Sequence, residues 1–287
     1  MVSKMGSAYK TTGAIFEQVS VRQSPGMMEE LRAIQPGEIA VVKGTYDHIE
    51  KLMDTLKVPY ALIEPEAMAT HNGSRVMLVN CKEYGSSGPR KAIQDFVSDG
   101  GRLVTTDWSL SLVSHAFPGK LSKVKHTVDD VVEIQCPTDI ARRWTGQNYA
   151  QCSPKWWLEE SSHVYDVGQG VVPIITSDEM NDKYGKPYVA VGFTHGRGEV
   201  FHFISHLELQ RTKHKTEADS AGLDTYLAKM GAAKTDEMED AKVAELESAF
   251  STLNTLAYLC LRAPILGGSG KSVLSTASKG IAKSVPL

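Results

Sequence analysis

At 287 residues, 41% hydrophobic and 23% charged, the chain has material for one sizeable α/β core plus extensions. A net charge of -3 and a pI near 6.3 argue against a nucleic-acid partner, which a clustered basic face would announce. No apolar run approaches the ~18 residues that span a bilayer, no hydrophobic signal segment precedes the first element, and Cys81, Cys136, Cys152 and Cys260 show no C-x-x-C pairing; the expectation is a cytoplasmic protein with no membrane contact.

Residues 1–25 mix Ser, Thr, Gly and Lys around a short alternating piece from Ile15 to Val21 and read as a loose arm with one strand. From Gly37 the pattern sharpens. Glu38 to Lys43 is a buried strand and Gly44-Thr45 a turn; Tyr46 to Leu56 is a helix with Ile49, Leu52, Met53 and Leu56 on one stripe, and Pro59 to Ile63 is a second strand. Arg75 to Asn80 makes a third strand; Pro89 opens a helix through Val97 that ends at Gly100-Gly101, and Leu103 to Thr105 makes a fourth strand. Strands alternating with helices predict an α/β, flavodoxin-like three-layer sandwich with a mostly parallel sheet.

After Phe117 the runs become strand-like: Lys125 to Cys136, Val164 to Val167, Val171 to Thr176, Tyr188 to Thr194 and Glu199 to Ser205. The last two flank Gly196-Arg197-Gly198 and predict a late β-hairpin. Trp156-Trp157 falls in a loop, as a lid over a cleft, a protein-contact anchor or the packing of an insertion onto the sheet. Asp236 with Glu239 suggests a capping box for a long C-terminal helix whose apolar residues Val243, Leu246, Phe250, Leu253, Ala257 and Cys260 share one face up to Pro264. Gly267 to Ser272 mimics a phosphate loop but has Ile265 where the first glycine belongs, and residues 266–287 read as a flexible tail. The division expected is thus an arm (1–36), an α/β domain (37–212), a helical extension (213–265) and the tail.

Two strand endings carry the chemistry. One runs from Gly100 through Asp107 to Val113, the other from Phe203 to Glu208, with His206-Leu207-Glu208 at its end. In open α/β sheets, ligands gather at the carboxyl ends of the strands. Counting back from Phe117-Pro118-Gly119, Asp107 falls where class I glutamine amidotransferases place a nucleophilic Cys, and His206-Leu207-Glu208 resembles their His-x-Glu. Gly44-Thr45-Tyr46-Asp47-His48, Phe96 to Val104 and Gly196 to Phe201 look like the ThuA-like branch of that superfamily, whose members commonly lack the Cys. The resemblance covers roughly residues 37–210. It implies an amidotransferase-like fold with a remnant Asp107, His206 and Glu208 triad, and a cleft touched by Gly44, Thr45, Cys81 and Trp108.

Each residue also has a plainer role. Asp107 is either a carboxylate nucleophile on a sharp turn or simply the N-cap of the following helix. His206 and Glu208, two apart on a strand, would share a face, so that the carboxylate orients the imidazole. His202 on the same strand reads as core-facing, and Cys81 as either a thiol exposed to the cleft or a small buried hydrophobe. Asp47, His48, Cys81, Asp107 and His206 include metal-ligand types, but no spacing fixes a set, so neither metal nor cofactor is expected. The expected function is a non-catalytic binding or assembly module, a pseudoenzyme that takes a small-molecule ligand or pairs with a protein partner or itself through the C-terminal helix. The alternative is a hydrolase or sugar- and metabolite-utilisation protein using Asp107, His206 and Glu208.

Overall fold

Apolar runs of four or five residues with little polar alternation can only be satisfied as strands covered on both faces, and the central sheet is built from them. The computed structural model describes residues 5–85, 88–149, 152–208 and 210–261; the tail and the phosphate-loop mimic lie outside them. The chain opens with two helices, α1 (Met5–Gln23) and α2 (Pro25–Arg32). There follow β1 (Ile39–Val42), α3 (Ile49–Leu56), β2 (Ala61–Ile63), β3 (Val76–Val79), α4 (Arg90–Ser98), β4 (Arg102–Thr106) and α5 (Leu110–Ala116). An excursion carries β5 (Leu121–His126), β6 (Asp130–Glu133), α6 (Asp139–Trp144), β7 (Lys155–Leu158) and β8 (His163–Val167). The sheet resumes with β9 (Val172–Thr176), α7 (Asp178–Tyr184), β10 (Tyr188–His195) and β11 (Gly198–Phe203), and α8 (Leu223–Met230) and α9 (Val243–Cys260) complete the described chain.

The main sheet has the order β2-β1-β3-β4-β11-β10-β9. Its first five strands are parallel, while β10 runs antiparallel to both neighbours as the predicted hairpin. This is the flavodoxin-like α/β arrangement. The step from β1 to β2 and the step from β3 to β4 run in opposite directions across the sheet, so right-handed crossovers put α3 and α4 on opposite faces. α3 joins α1 and α9, whereas α4 joins α5. The excursion forms two separate antiparallel ribbons, β5 with β8 and β6 with β7. Trp156 and Trp157 therefore sit in a strand rather than a loop; Trp156 stacks on Phe203 at 5.7 Å and donates its indole N–H to Ser205 Oγ.

The expected N-terminal arm and its strand are corrected. Met5, Ala8, Tyr9, Thr12, Ile15, Phe16 and Val19 recur at helical spacing and are buried. The period is hidden because Thr11, Thr12 and Ser20 occupy the buried face. Gly13, which reads as a loop residue, marks a close crossing: a Cβ there would lie 2.7 Å from Thr55 Cγ2 of α3. The capping box at Asp236 and Glu239 is also absent, since Glu239 pairs with Lys10 of α1 and α9 starts at Val243, with Glu245 accepting the Lys242 N–H.

α9 carries the predicted apolar residues, yet its polar positions Ser248, Thr252, Asn254 and Thr255 are buried as well. It is enclosed by α1, α6, α8 and β7 rather than presenting one stripe to a surface. Asn254 donates to the Arg143 and Trp144 carbonyls, and Arg102 at the start of β4 donates to the carbonyls of Leu259 and Leu261 while forking onto Glu199. One core runs from Met5 to Leu261, unbroken at 36/37 and 212/213.

Candidate functional site

Four loops meet at the carboxyl end of the parallel strands. β4 lies between β3 and β11, and all five of its residues are buried. The backbone is extended at Thr106, then turns to φ +49 at Asp107 before one tight turn and α5. A left-handed conformation at a residue with a side chain costs about 1–3 kcal/mol and is held only by its surroundings. It forms a sharp elbow. Asp107 makes no side-chain cap on the following helix, which removes the N-cap role. Its Oδ2 lies 3.3 Å from both Cys81 Sγ and His206 Nε2, and its Oδ1 is buried without a hydrogen-bond partner among the described residues.

Cys81 follows β3 and is fully buried beneath the elbow, not exposed to the cleft. Burial, then the neighbouring Asp107 charge, pushes its thiol far above the usual range, so that Sγ–H donates to the carboxylate. The β1 loop clamps it from behind. Thr45 N–H donates to the Cys81 carbonyl at 2.7 Å, and a Cβ on Gly44 would meet that carbonyl oxygen at 2.6 Å and Asn80 Cβ at 2.5 Å, so only glycine fits. Gly44 and Thr45 thus support the site without lining the cleft.

β11 ends at Phe203, and the bend that follows breaks the two-residue alternation. His206 therefore faces the elbow while Glu208 turns away to Lys51 at 3.5 Å and lines a different hollow. The acid at His206 Nδ1 is Glu159, at 3.0 Å, from the end of β7. This corrects the pairing expected from the His-x-Glu spacing. Burial alone would lower the His206 pKa, but Asp107, Asp47 and Glu159 together raise it; burial raises that of Glu159.

The segment is fixed by two residues that no sequence motif marks for this role. Buried Asp47 accepts the N–H groups of His48, Leu207 and Glu208 at 2.9, 2.9 and 3.0 Å, and Tyr9 of α1 donates its hydroxyl to the Leu207 carbonyl at 3.0 Å. His202 behaves as a core residue, with Nδ1 2.9 Å from Thr105 Oγ1, and burial lowers its pKa to about 3.

Above the elbow is a cleft of about 330 Å³ lined by Tyr46, Trp108, Trp157, Glu160, Ser161 and Arg211, with Asp107, Asp129 and Glu159 contributing carboxylates. Trp108 donates to the Ser161 carbonyl and stacks on His163; Trp157 bonds Asp129, sits edge-on to His206 and lies 4.5 Å beneath the Arg211 guanidinium. Of these residues, sequence reasoning places Asp107 and Trp108 at the cleft and offers Trp157 there as one of its readings, a lid over it. Tyr46 comes from the loop after β1, and the others arrive on the excursion or after His206. A larger hollow of about 450 Å³ between α1 and α3 has most of its charges paired, as in Arg32 with Glu17 and Lys51 with Glu208. The smaller cleft is the candidate site, because its polar groups converge. At its floor, Cys81, Asp107 and His206 bring one donor atom each within 4.8 Å of one another, a grouping assembled from three strand ends that no sequence spacing reveals.

Among the described residues no helix is long and apolar enough to cross a membrane. No family model and no curated protein matches the chain. Among solved structures it is similar to a glutamine amidotransferase from Methylobacillus flagellatus (13% identity, 86% of this chain and 96% of that one, TM-score 0.44). It is also similar to a putative ThuA-like protein from Bacteroides uniformis (10% identity, 62% and 84%, TM-score 0.42). A third is a β-galactosidase from Rahnella sp. R3 (12% identity, 81% and 32%, TM-score 0.48). The chain spans only 28 to 32% of the β-galactosidases it overlaps. Overlaps at this level say nothing of what the chain binds or catalyses.

Proposed function

We propose that the chain binds a small ligand rich in hydrogen-bond donors, a polyol or an organic cation, in the cleft above Asp107, and that it does not hydrolyse glutamine. The observation that carries this reading is the elbow itself, where Asp107 lines the cleft on a left-handed turn and keeps one buried carboxylate oxygen without a hydrogen-bond partner among the described residues. A carboxylate attacking an amide would have to expel ammonia to form an anhydride, a far less stable acyl-enzyme than a thioester, which argues against glutaminase chemistry through Asp107. Three aromatic walls and four carboxylates against one guanidinium favour an occupant that donates hydrogen bonds and stacks an apolar face. Because α9 is enclosed within its own domain, ligand binding is preferred to assembly through that helix.

The test is isothermal titration with a panel of monosaccharides, polyols and organic amines, together with an assay of ammonia release from glutamine. Binding of a panel member, weakened at least tenfold by Trp157→Ala and Asp107→Asn, is expected, with no ammonia released. Ammonia release abolished by Asp107→Ala would overturn the proposal. The second reading, a hydrolase using Asp107 and His206, is favoured by their 3.3 Å contact. It now takes Glu159 rather than Glu208 as the orienting acid, and turnover of an ester or glycoside panel that depends on Glu159 would support it.

A further inference from the structure

The floor of the cleft holds more donors than its hydrogen bonds use. Asp107 Oδ1 and both ring nitrogens of His206 are buried without a hydrogen bond of good geometry among the described residues, although Asp107 and Glu159 stand at ion-pair distance from the ring. Cys81 Sγ and His206 Nε2 each lie 3.3 Å from Asp107 Oδ2, and all three atoms fall within 4.8 Å of one another. With the third edge no longer than 4.8 Å, the point in their plane equidistant from all three is at most about 2.4 Å from each, close to ordinary zinc bonds to S, N and O of about 2.0–2.3 Å.

We propose that Cys81 Sγ, Asp107 Oδ2 and His206 Nε2 form a binding site for one zinc-class divalent cation, with its fourth position open toward the cleft that Asp107 lines. One sulfur, one nitrogen and one oxygen make a borderline-soft set that suits zinc or cobalt and is wrong for magnesium or calcium, which take oxygen. Three protein ligands with one open position is the arrangement of reactive rather than structural zinc sites.

The surroundings fit the same reading. A metal-bound imidazole characteristically donates its other N–H to a carboxylate, and Glu159 Oε2 is 3.0 Å from His206 Nδ1. Each ligand is held by backbone geometry: Asp107 by the φ +49 elbow, Cys81 by the Thr45 bond to its carbonyl, and the His206 segment by the clamps on Leu207 and Glu208. Metal binding displaces the thiol proton to solvent, leaving a thiolate ligand. The site does not depend on the ligand reading above; an empty panel leaves it standing, and its failure leaves the cleft as it was.

The experiment uses the untagged full-length chain, stripped with chelator, dialysed against zinc or cobalt and measured by elemental analysis and absorption. One metal per chain is expected, with a thiolate-to-cobalt charge-transfer band and the strong visible bands of a four-coordinate ion. Cys81→Ser should abolish the charge-transfer band, Glu159→Gln should weaken affinity about 10–100-fold, and Cys152→Ser should change neither. If the variants do not fold, the charge-transfer band of the unaltered chain decides alone. No stoichiometric metal, cobalt bound without a thiolate band, or a band that survives Cys81→Ser would each overturn the proposal.

Discussion

Asp47→Ala tests the clamp that places His206. The Asp47 side chain is 1% exposed, and it is the acceptor for two N–H groups from 160 residues away, those of Leu207 and Glu208, at 2.9 and 3.0 Å. Alanine leaves both donors without an acceptor in a place water does not reach, and an unsatisfied buried donor costs about 1–3 kcal/mol. The loss expected is therefore about 4 kcal/mol. Asparagine keeps one acceptor oxygen but turns an NH₂ toward the other donor, for a loss of about 2 kcal/mol. With a urea slope of about 2 kcal/mol per molar, the unfolding midpoint should fall by roughly 2 M for alanine and 1 M for asparagine. Glu208→Gln, which leaves the clamp untouched, should move it by less than about 0.3 M. A midpoint for Asp47→Ala within about 0.3 M of the unaltered protein would refute the reasoning, and would mean that the Leu207 and Glu208 amides find other acceptors at little cost.

Arg102→Ala takes a guanidinium from Glu199 and from two carbonyls at the end of α9, and should cost about 3–5 kcal/mol in chemical denaturation; Arg102→Lys should recover only part, because a lysine cannot fork. His202 is neutral in the folded chain down to about pH 3 but takes a proton near pH 6.5 when unfolded. The His202 contribution should therefore fall by about 1.4 kcal/mol per unit as pH drops from about 6.5 toward 3 and be constant above; His202→Gln should remove that part of the slope, and equal slopes in the two proteins would count against it. Truncation after residue 234 removes α9 from the faces of α1, α6, α8 and β7, so the remainder should lose its cooperative thermal transition and bind a hydrophobic dye; a sharp transition would contradict this.

What a reader of the sequence can see is governed by how local the cause is. β1, β3 and β4 are legible because a strand covered on both faces has nothing polar to alternate with. Asp107 and His206 are legible as sites because each ends such a strand. α1 is hidden because its buried face uses Thr and Ser, whose hydroxyls look like solvent-facing groups until a partner helix covers them. Glu208 misleads because its place beside His206 assumes a strand that the chain has already left. Glu159 reaches the imidazole from a ribbon whose approach to the sheet is a tertiary fact. Asp47 reads only as a potential ligand, since nothing beside it in sequence tells which amides it will receive.

The pairing of α1 with α9 also bears on how the protein is made. A ribosome releases residues 5–23 early and residues 243–260 near the end, so the first helix has its main partner only when synthesis of the described chain is almost complete. Until then the apolar face of α1 and one side of the sheet are uncovered, the condition in which long-range α/β intermediates aggregate or engage chaperones. Folding of the described residues consequently waits on the emergence of α9 for its decisive step. Slowing elongation through the codons between α8 and α9 should lengthen the vulnerable interval far more than slowing it through those before α1.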